Sequence, residues 1–519
     1  MILFVPCQLI NHKPPTMPSF DELRQLSHLI SRNKLKHLQL LGQNDSNPTQ
    51  FDQFYEGLAD GNFQNEEEAR NHFYPEDPGS SNFNVLKFRL YHRLLNTFFV
   101  IDINQAGFNN YQKAYHNCYR NAAACRMLMG RGIRQAAIPL AERTLRKAVQ
   151  YEFTDLVLLL AKDLRMHYGN IIGDQRKYQQ YNELVKQYVG VQQAELTVEE
   201  YYTELAIHFA RSRATQLEVL DRAEKYAQAL REMMQRQNSY RFRLLAYLVF
   251  IFRHEIANDY PNTIQVCEEA LAYFESKEEL ASGNTIVNFR LKMAAALLQM
   301  KRFKKAEESL DICLELSDDG SASWYLALYY SMIAAFRTEQ YQKAYDIYFQ
   351  AASHPNFKRQ YQNISENWRI YEAFIHYFIA IGRITPTHKQ PLERFRLNKF
   401  LNEVPTYSKD KRGTNITILI LQILFLLEQK KYNVIIDRME ALKTYSHRYL
   451  RKNDTFRSNC FIKMLLQLPQ ADFNRIALKR KAQKYWEKLR TMPLEEAKQS
   501  VEIELVPYEK LWEYVLEAV

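Results

Sequence analysis

Apolar side chains in this chain return every three or four residues, and that spacing sets what it can fold into. Tyr325, Leu328, Tyr329, Met332, Ile333 and Phe336 fall at offsets 0, 3, 4, 7, 8 and 11. Tyr341, Ala344, Tyr345, Tyr348, Phe349 and Ala352 repeat those offsets, and Tyr371, Phe374, Ile375, Phe378 and Ile379 repeat the first five. Such stripes line one face of an α-helix, while the period-two alternation of half-buried strands is almost absent. Glycine usage agrees: 14 of 519 residues, against roughly 7% in an average protein. That is too few for hairpin-rich folds or loops that cradle phosphates. Ser19-x-x-Glu22 and Thr197-x-x-Glu200 read as capping boxes, where each side chain satisfies a free amide at a helix start. The expectation is an all-α protein.

At about 150 residues per domain, this length suggests three to four domains or one extended array, and a short pattern favours the array. In NFRLKMAAALLQMKRFKKAEESLDICLEL (288–316) a helix ends and a polar turn leads to Phe303. Small residues follow three and ten positions later, Ala306 and Cys313. Tyr341, Ala344 and Ala351 repeat this, as do Tyr260, Thr263 and Ala270. Weaker copies are Ile133 with Ala136, and Tyr432. Small residues let two antiparallel helices approach closely, and the aromatic fills the gap to the next pair. The aromatics are 43 residues apart (260 to 303), then 38 (303 to 341), then 91 (341 to 432). The last gap fits two units, the extra one near Ile381-Gly382-Arg383.

This pattern resembles the tetratricopeptide repeat, a helix–turn–helix unit of about 34 residues. The resemblance covers about 240–355 best and is irregular in spacing. It implies a right-handed superhelical α-solenoid of antiparallel helix pairs. PSFDELRQLSHLISRNKLKHLQLL, with the helix near Phe83 to Ile103 and the Ile133 turn, resembles a group of uncharacterised bacterial helical proteins that open with a small helical domain. No activity attaches to that group. The expected organisation is a tail or mis-called start (1–16), a small helical N-terminal domain (17–78) and degenerate repeats (79–240). Tetratricopeptide-like repeats (241–383) and a C-terminal helical region with a charged end (384–519) complete it. YPEDPGSSN (74–82), ITPTHKQPLERF (384–395) and Leu468-Pro469 supply the punctuation. Gly79, Gly130, Gly132, Gly169, Gly173, Gly283, Gly320, Gly382 and Gly413 are expected at unit boundaries.

The net charge of +10 is modest for this length, but it is banded. Residues 52–77 hold eight acids and one base, and 108–147 hold eight bases and one acid. Residues 472–490 hold seven bases and two acids, and 494–517 reverse to seven acids and two bases. If Arg120, Arg126, Arg131, Arg134, Arg143 and Lys147 converge, they form an anion or nucleic-acid patch, and RIALKRKAQKYWEKLR (475–490) is a second strip. The alternative is that these bands are solvated faces or ion-pair partners of the acidic segments.

Catalytic signatures are missing. There is no GxxxxGK[ST], GxGxxG or GxSxG, and Gly130-Arg131-Gly132 is a lone GxG at a helix turn. His254-Glu255 lacks the second histidine of a zinc-protease helix. None of the six cysteines forms a CxxC pair. Cys118 and Cys125 lie on one helix face about 10 Å apart, a packing arrangement. No catalytic residue, metal or cofactor is expected. MILFVPCQLI lacks a basic start and contains Pro6, so it is not read as a signal. The longest apolar run, Ile416 to Leu427, is shorter than the roughly twenty residues a membrane span needs. A cytoplasmic protein is expected.

Function is then expected on surfaces. The first expectation is a non-enzymatic scaffold or adaptor holding a partner peptide or helix in the solenoid groove, with Asn288, Leu291 and Gln299 lining it. The alternatives are a nucleic-acid-associated or regulatory module using the two basic bands, and a peptide-responsive signalling regulator.

Overall fold

The computed structural model describes residues 18–32, 49–63, 65–75, 81–99, 101, 103, 109–211, 217–277, 280, 283–357, 362–387, 395–402, 414–449, 456–494 and 504–519. Residues 1–16, Gly79 and Gly413 lie outside them. The described residues form 22 α-helices and no strand. The chain divides into two compact units, Met1–Lys147 and Ala148–Val519.

The first unit opens with α1 (Phe20–Arg32), α2 (Gln50–Asp60), α3 (Glu66–Phe73) and α4 (Ser81–Phe98). The expected capping box starts α1: Glu22 N–H donates to Ser19 Oγ (3.2 Å), and Ser19 N–H donates to Glu22 (2.9 Å). Phe54 anchors the core, with the rings of Phe63, Phe73 and Phe83 packed around it. That core draws on residues both before and after the boundary expected at 74–82. Then come α5 (Asn110–Gly130) and α6 (Arg134–Gln150), joined through Gly132 in the left-handed region (φ 76°). Ile133 and Ala136 do not pack there; both are exposed. The pattern is shifted by one residue. Arg134 takes the aromatic's position, and the buried small residues three and ten positions on are Ala137 and Thr144.

The second unit begins with α7 (Thr154–Met166), a π-helical turn (His167–Ile172), α8 (Gln175–Arg211) and α9 (Leu217–Met234). Thr197 and Glu200 cap nothing, because α8 runs through them. Thr197 Oγ1 donates instead to the Gln193 carbonyl one turn back (2.9 Å), an interior alternative open to threonine. Next come α10 (Tyr240–Ala257), α11 (Tyr260–Glu275), α12 (Gly283–Gln299), α13 (Phe303–Leu316), α14 (Ala322–Arg337), α15 (Tyr341–Ser353) and α16 (Gln362–Ala380). The chain ends with α17 (Leu397–Asn402), α18 (Thr414–Glu428), α19 (Tyr432–Tyr449), α20 (Phe456–Leu465), α21 (Arg475–Arg490) and α22 (Tyr508–Ala518). From α7 to α16 each helix packs on the next, and α8 on α10 and α12 on α14 add contacts between alternate helices.

One turn recurs. A residue in the left-handed region follows α10, α12, α14, α16 and α18: Asn258, Lys301, Glu339, Gly382 and Lys430, with φ between 54° and 70°. The next amide in each case bonds back to a carbonyl five residues earlier. Examples are Asp259 to His254 (2.9 Å), Gln340 to Ala335 (2.8 Å) and Arg383 to Phe378 (2.8 Å). This geometry satisfies carbonyls left open where a helix stops and turns the chain sharply. After four of the five turns the following helix starts on an aromatic: Tyr260, Phe303, Tyr341 and Tyr432. Gly382 supplies the turn between 341 and 432. The small residues Thr263, Ala270, Ala306, Cys313, Ala344 and Ala351 all have 0% exposure, so the paired helices meet there without a gap.

Contacts also run between distant parts of the sequence. The last segment, 504–519, packs on α18, α20 and α21 and reaches back to α14–α16. Arg457 of α20 is 1% exposed and holds Glu504 through two bonds (2.9 and 2.7 Å) and Glu509 through Nη2 (2.7 Å). Its remaining donors reach the Leu489 and Met492 carbonyls. Tyr341 and Tyr514 share a hydroxyl hydrogen bond (2.9 Å), Lys510 pairs with Glu339, and Arg383 with Glu517.

A Cβ at Gly382 would meet nothing within 4 Å, so Gly382→Ala reports backbone strain alone. It is expected to cost about 1–2 kcal/mol, and Lys301→Gly to lower the thermal midpoint less or raise it. Equal losses for both, in scanning calorimetry, would contradict the strain assignment. Arg457→Ala leaves Glu504 buried without its counter-charge and is expected to cost about 3–5 kcal/mol. Limited proteolysis should then open the chain between α21 and α22 before any other site.

Candidate functional site

Of the three residues expected to line a groove, only Asn288 is exposed. Leu291 (6% exposed) belongs to a small core with Val287, Ala294, Leu310, Cys313 and Ala327. Gln299 (3% exposed) is a brace between units: its amide donates to the Tyr260 hydroxyl (3.1 Å), and its carbonyl accepts from Arg337 (3.3 Å). Both are spent on packing because α12 carries apolar contacts on more than one side.

The four helices α8, α10, α12 and α14 bring together a set that those three residues do not define. Lys292 of α12 donates to both oxygens of Glu255 on α10 (3.0 and 2.9 Å), and its ammonium lies 4.8 Å from the Phe252 ring centroid. Tyr202 of α8 stacks on Phe252 at 5.5 Å. Lys292 also interacts with Tyr202 and with Tyr330 of α14. Burial alone would lower the Lys292 ammonium, but the Glu255 carboxylate outweighs it and the net shift is upward. Lys292 therefore stays charged. About a quarter of its side chain (28%) and 18% of Glu255 remain exposed, so the pair is partly desolvated yet open to a ligand.

Glu255 and Lys292 carry a signal readable as sparse charge on otherwise apolar helices, beside Arg253 in YLVFIFRHEIA and Arg290 in NFRLKMAAALL. His254, beside Glu255, serves the turn: its Nδ1 lies 3.0 Å from the Asp259 carboxylate. Among the described residues no three His, Cys, Asp or Glu side chains gather as a metal would require, and no helix is long and apolar enough to cross a membrane. Cys118, Cys125, Cys267, Cys313 and Cys460 are buried free thiols, and burial raises the pKa of Cys118, Cys267, Cys313 and Cys460.

The first basic band lies in the N-terminal unit, with Arg120, Arg126, Arg131, Arg134, Arg143 and Lys147 all exposed. Arg120 donates to Asn117 (2.9 Å). Six positions along a helix separate Arg120 from Arg126 by about 120° around the axis, and nine separate Arg134 from Arg143 by about 180°. On α6, Arg143, Arg146 and Lys147 share a face, and on α5 Arg120 shares one with Lys113 seven positions earlier. The second band is α21, where Arg475, Lys479, Arg480, Lys481, Lys484, Lys488 and Arg490 are all exposed. The acids of 504–517 pair elsewhere, with Arg457, Arg383 and Lys510.

Compared with known proteins, the chain matches no family model, no curated protein and no solved structure.

His376 of α16 stacks on Phe395 (4.6 Å), and its Nε2 is buried without a hydrogen bond. Burial lowers its pKa from the ordinary 6.5 to about 4. The unfolded chain then takes up the proton first, so stability is whole above about pH 6.5 and falls as pH drops toward 4. His376→Phe is expected to flatten this part of the acid limb in thermal melts between pH 7 and 4.5. An unchanged slope would show that the ring is not held neutral.

Proposed function

We propose that the protein is a non-enzymatic interaction scaffold, a right-handed superhelical α-solenoid of tetratricopeptide-like helix pairs that receives a peptide or helix of a partner protein. The partner lies along α8, α10, α12 and α14, over Tyr202, Glu255, Lys292 and Tyr330, with Asn288 at one end. The observation that carries this reading is the half-open Glu255–Lys292 pair set among aromatic rings. A peptide carboxylate can take Lys292, an amide or ammonium can take Glu255, and the two tyrosines offer contact area with few rotors to order. The recurrent left-handed turn supports it too, since helices fixed by the same junction hold such a row of side chains in register. A peptide-responsive regulator would use the same row.

Photo-crosslinking in the native host is the test. A benzophenone amino acid at Asn288 or Tyr330 is expected to trap one recurrent protein, and Lys292→Glu to abolish the adduct. The same probe at Lys304 or Lys305, on α13, should not trap it. Equal trapping from both sets of positions, or no loss with Lys292→Glu, would remove the proposed seat.

A further inference from the structure

The exposed lysines of α21 are more ordered than a solvated face requires. Lys481, Lys484, Tyr485 and Lys488 fall at offsets 0, 3, 4 and 7, one stripe of the helix. The stripe beside it, Leu478, Ala482 and Leu489, about a quarter turn around the helix, is buried in the protein. Lys463 of the neighbouring α20 joins the stripe, its ammonium 6.0 Å from the Tyr485 ring centroid. Cys460, buried on α20, lies within reach of the same charge. Burial raises its thiol, and Lys463 and Lys488 both act to lower it. Lys481 is steadied by the Gln470 carbonyl (2.5 Å), which leaves its charge unneutralised. Among the described residues none of these four lysines has a carboxylate partner.

We propose that Lys463, Lys481, Lys484 and Lys488, gathered around Tyr485, form a binding strip for the phosphodiester backbone of single-stranded nucleic acid. The charge fits that ligand. Lysines three and four positions apart advance about 4.5 and 6 Å along the helix, so one line of ammonium groups can track one phosphodiester backbone while Tyr485 offers a ring for a base to stack on. Arg475, Lys479 and Arg490 turn to another side of the helix, and Arg480, one turn before Lys484, flanks the strip. A lipid surface suits a basic helix whose apolar face is free to insert, and here that face is buried. The strip is independent of the recess on α8–α14, and either can fail without the other.

The experiment is fluorescence anisotropy of the full-length protein with labelled twenty-nucleotide oligo-dT and oligo-U, from 50 to 200 mM salt. Four neutralised phosphates predict a slope near −3 in log affinity against log salt, about a fifty-fold loss across that range. Changing Lys463, Lys481, Lys484 and Lys488 together to Gln is expected to weaken binding at least tenfold at 50 mM and to flatten the slope. Arg475→Gln with Lys479→Gln and Arg490→Gln should change it less than threefold. Circular dichroism checks that both variants fold. Several results would overturn the strip: no binding at 50 mM, tighter binding to a duplex of the same length, or a quadruple variant within twofold of wild type. Displacement by poly-glutamate or anionic phospholipid vesicles at lower concentrations than by unlabelled oligonucleotide would do the same.

Discussion

Four helix junctions in the second unit, after α10, α12, α14 and α18, each depend on one costly residue. To bring a second helix back against the first, the chain must leave the first through the left-handed region, where an L-residue crowds its own carbonyl at about 1–2 kcal/mol. At Asn258, Lys301, Glu339 and Lys430 a side chain accepts that strain. The strain is offset locally, by the amide that bonds back across the turn and by the aromatic that the turn delivers into the next pair. Tyr341 stacks on Phe378 at 3.9 Å and Tyr432 on Phe473 at 4.2 Å. The turn thus sets the angle of each pair, and the angle sets which faces of α8, α10, α12 and α14 converge around Lys292.

A second constraint acts at the far end. α14 and α18 are apolar nearly all round, which no single partner helix can cover. The returning segment 504–519 supplies cover, and Arg457 fixes where it docks. A buried ion pair of this kind contributes little net stability, because desolvating the charges offsets their attraction. Its effect is selective: a misplaced segment would leave Glu504 or Arg457 buried and unpaired.

The helical character, the helix stripes and the small buried positions of the pairs were legible in the sequence, because burial repeats with the helical period and leaves its mark in residue type. Turn residues were less so. Glycine marks Gly132 and Gly382, but Lys301, Glu339 and Lys430 are ordinary helix-compatible residues whose backbone state is imposed by the turn. Register at the α5–α6 turn slipped by one for the same reason, since Ile133 looked like the aromatic's substitute and Arg134 did not. Thr197-x-x-Glu200 matched a helix start only as a pattern; a long helix overrode it. The repeat pattern places Asn288, Leu291 and Gln299 on a first helix, yet two of them are buried, because which side of α12 faces its neighbours depends on contacts set by distant segments. The pairing of Arg457 with Glu504 and Glu509 has no local signature at all.

The hydrogen bond between Tyr341 and Tyr514 joins residues 173 positions apart. Neighbour-to-neighbour helix pairs can come apart one at a time from an end, each losing only its own interface. A contact that spans so much chain closes a loop from α15 to α22, so α22 cannot leave without giving up its hold on α15. The closure entropy of such a loop grows only slowly with its length, but the search for it slows folding. The consequence is a difference between ends: the α7 side of the unit is held by neighbouring helices, whereas the C-terminal helices are also tied back across the sequence.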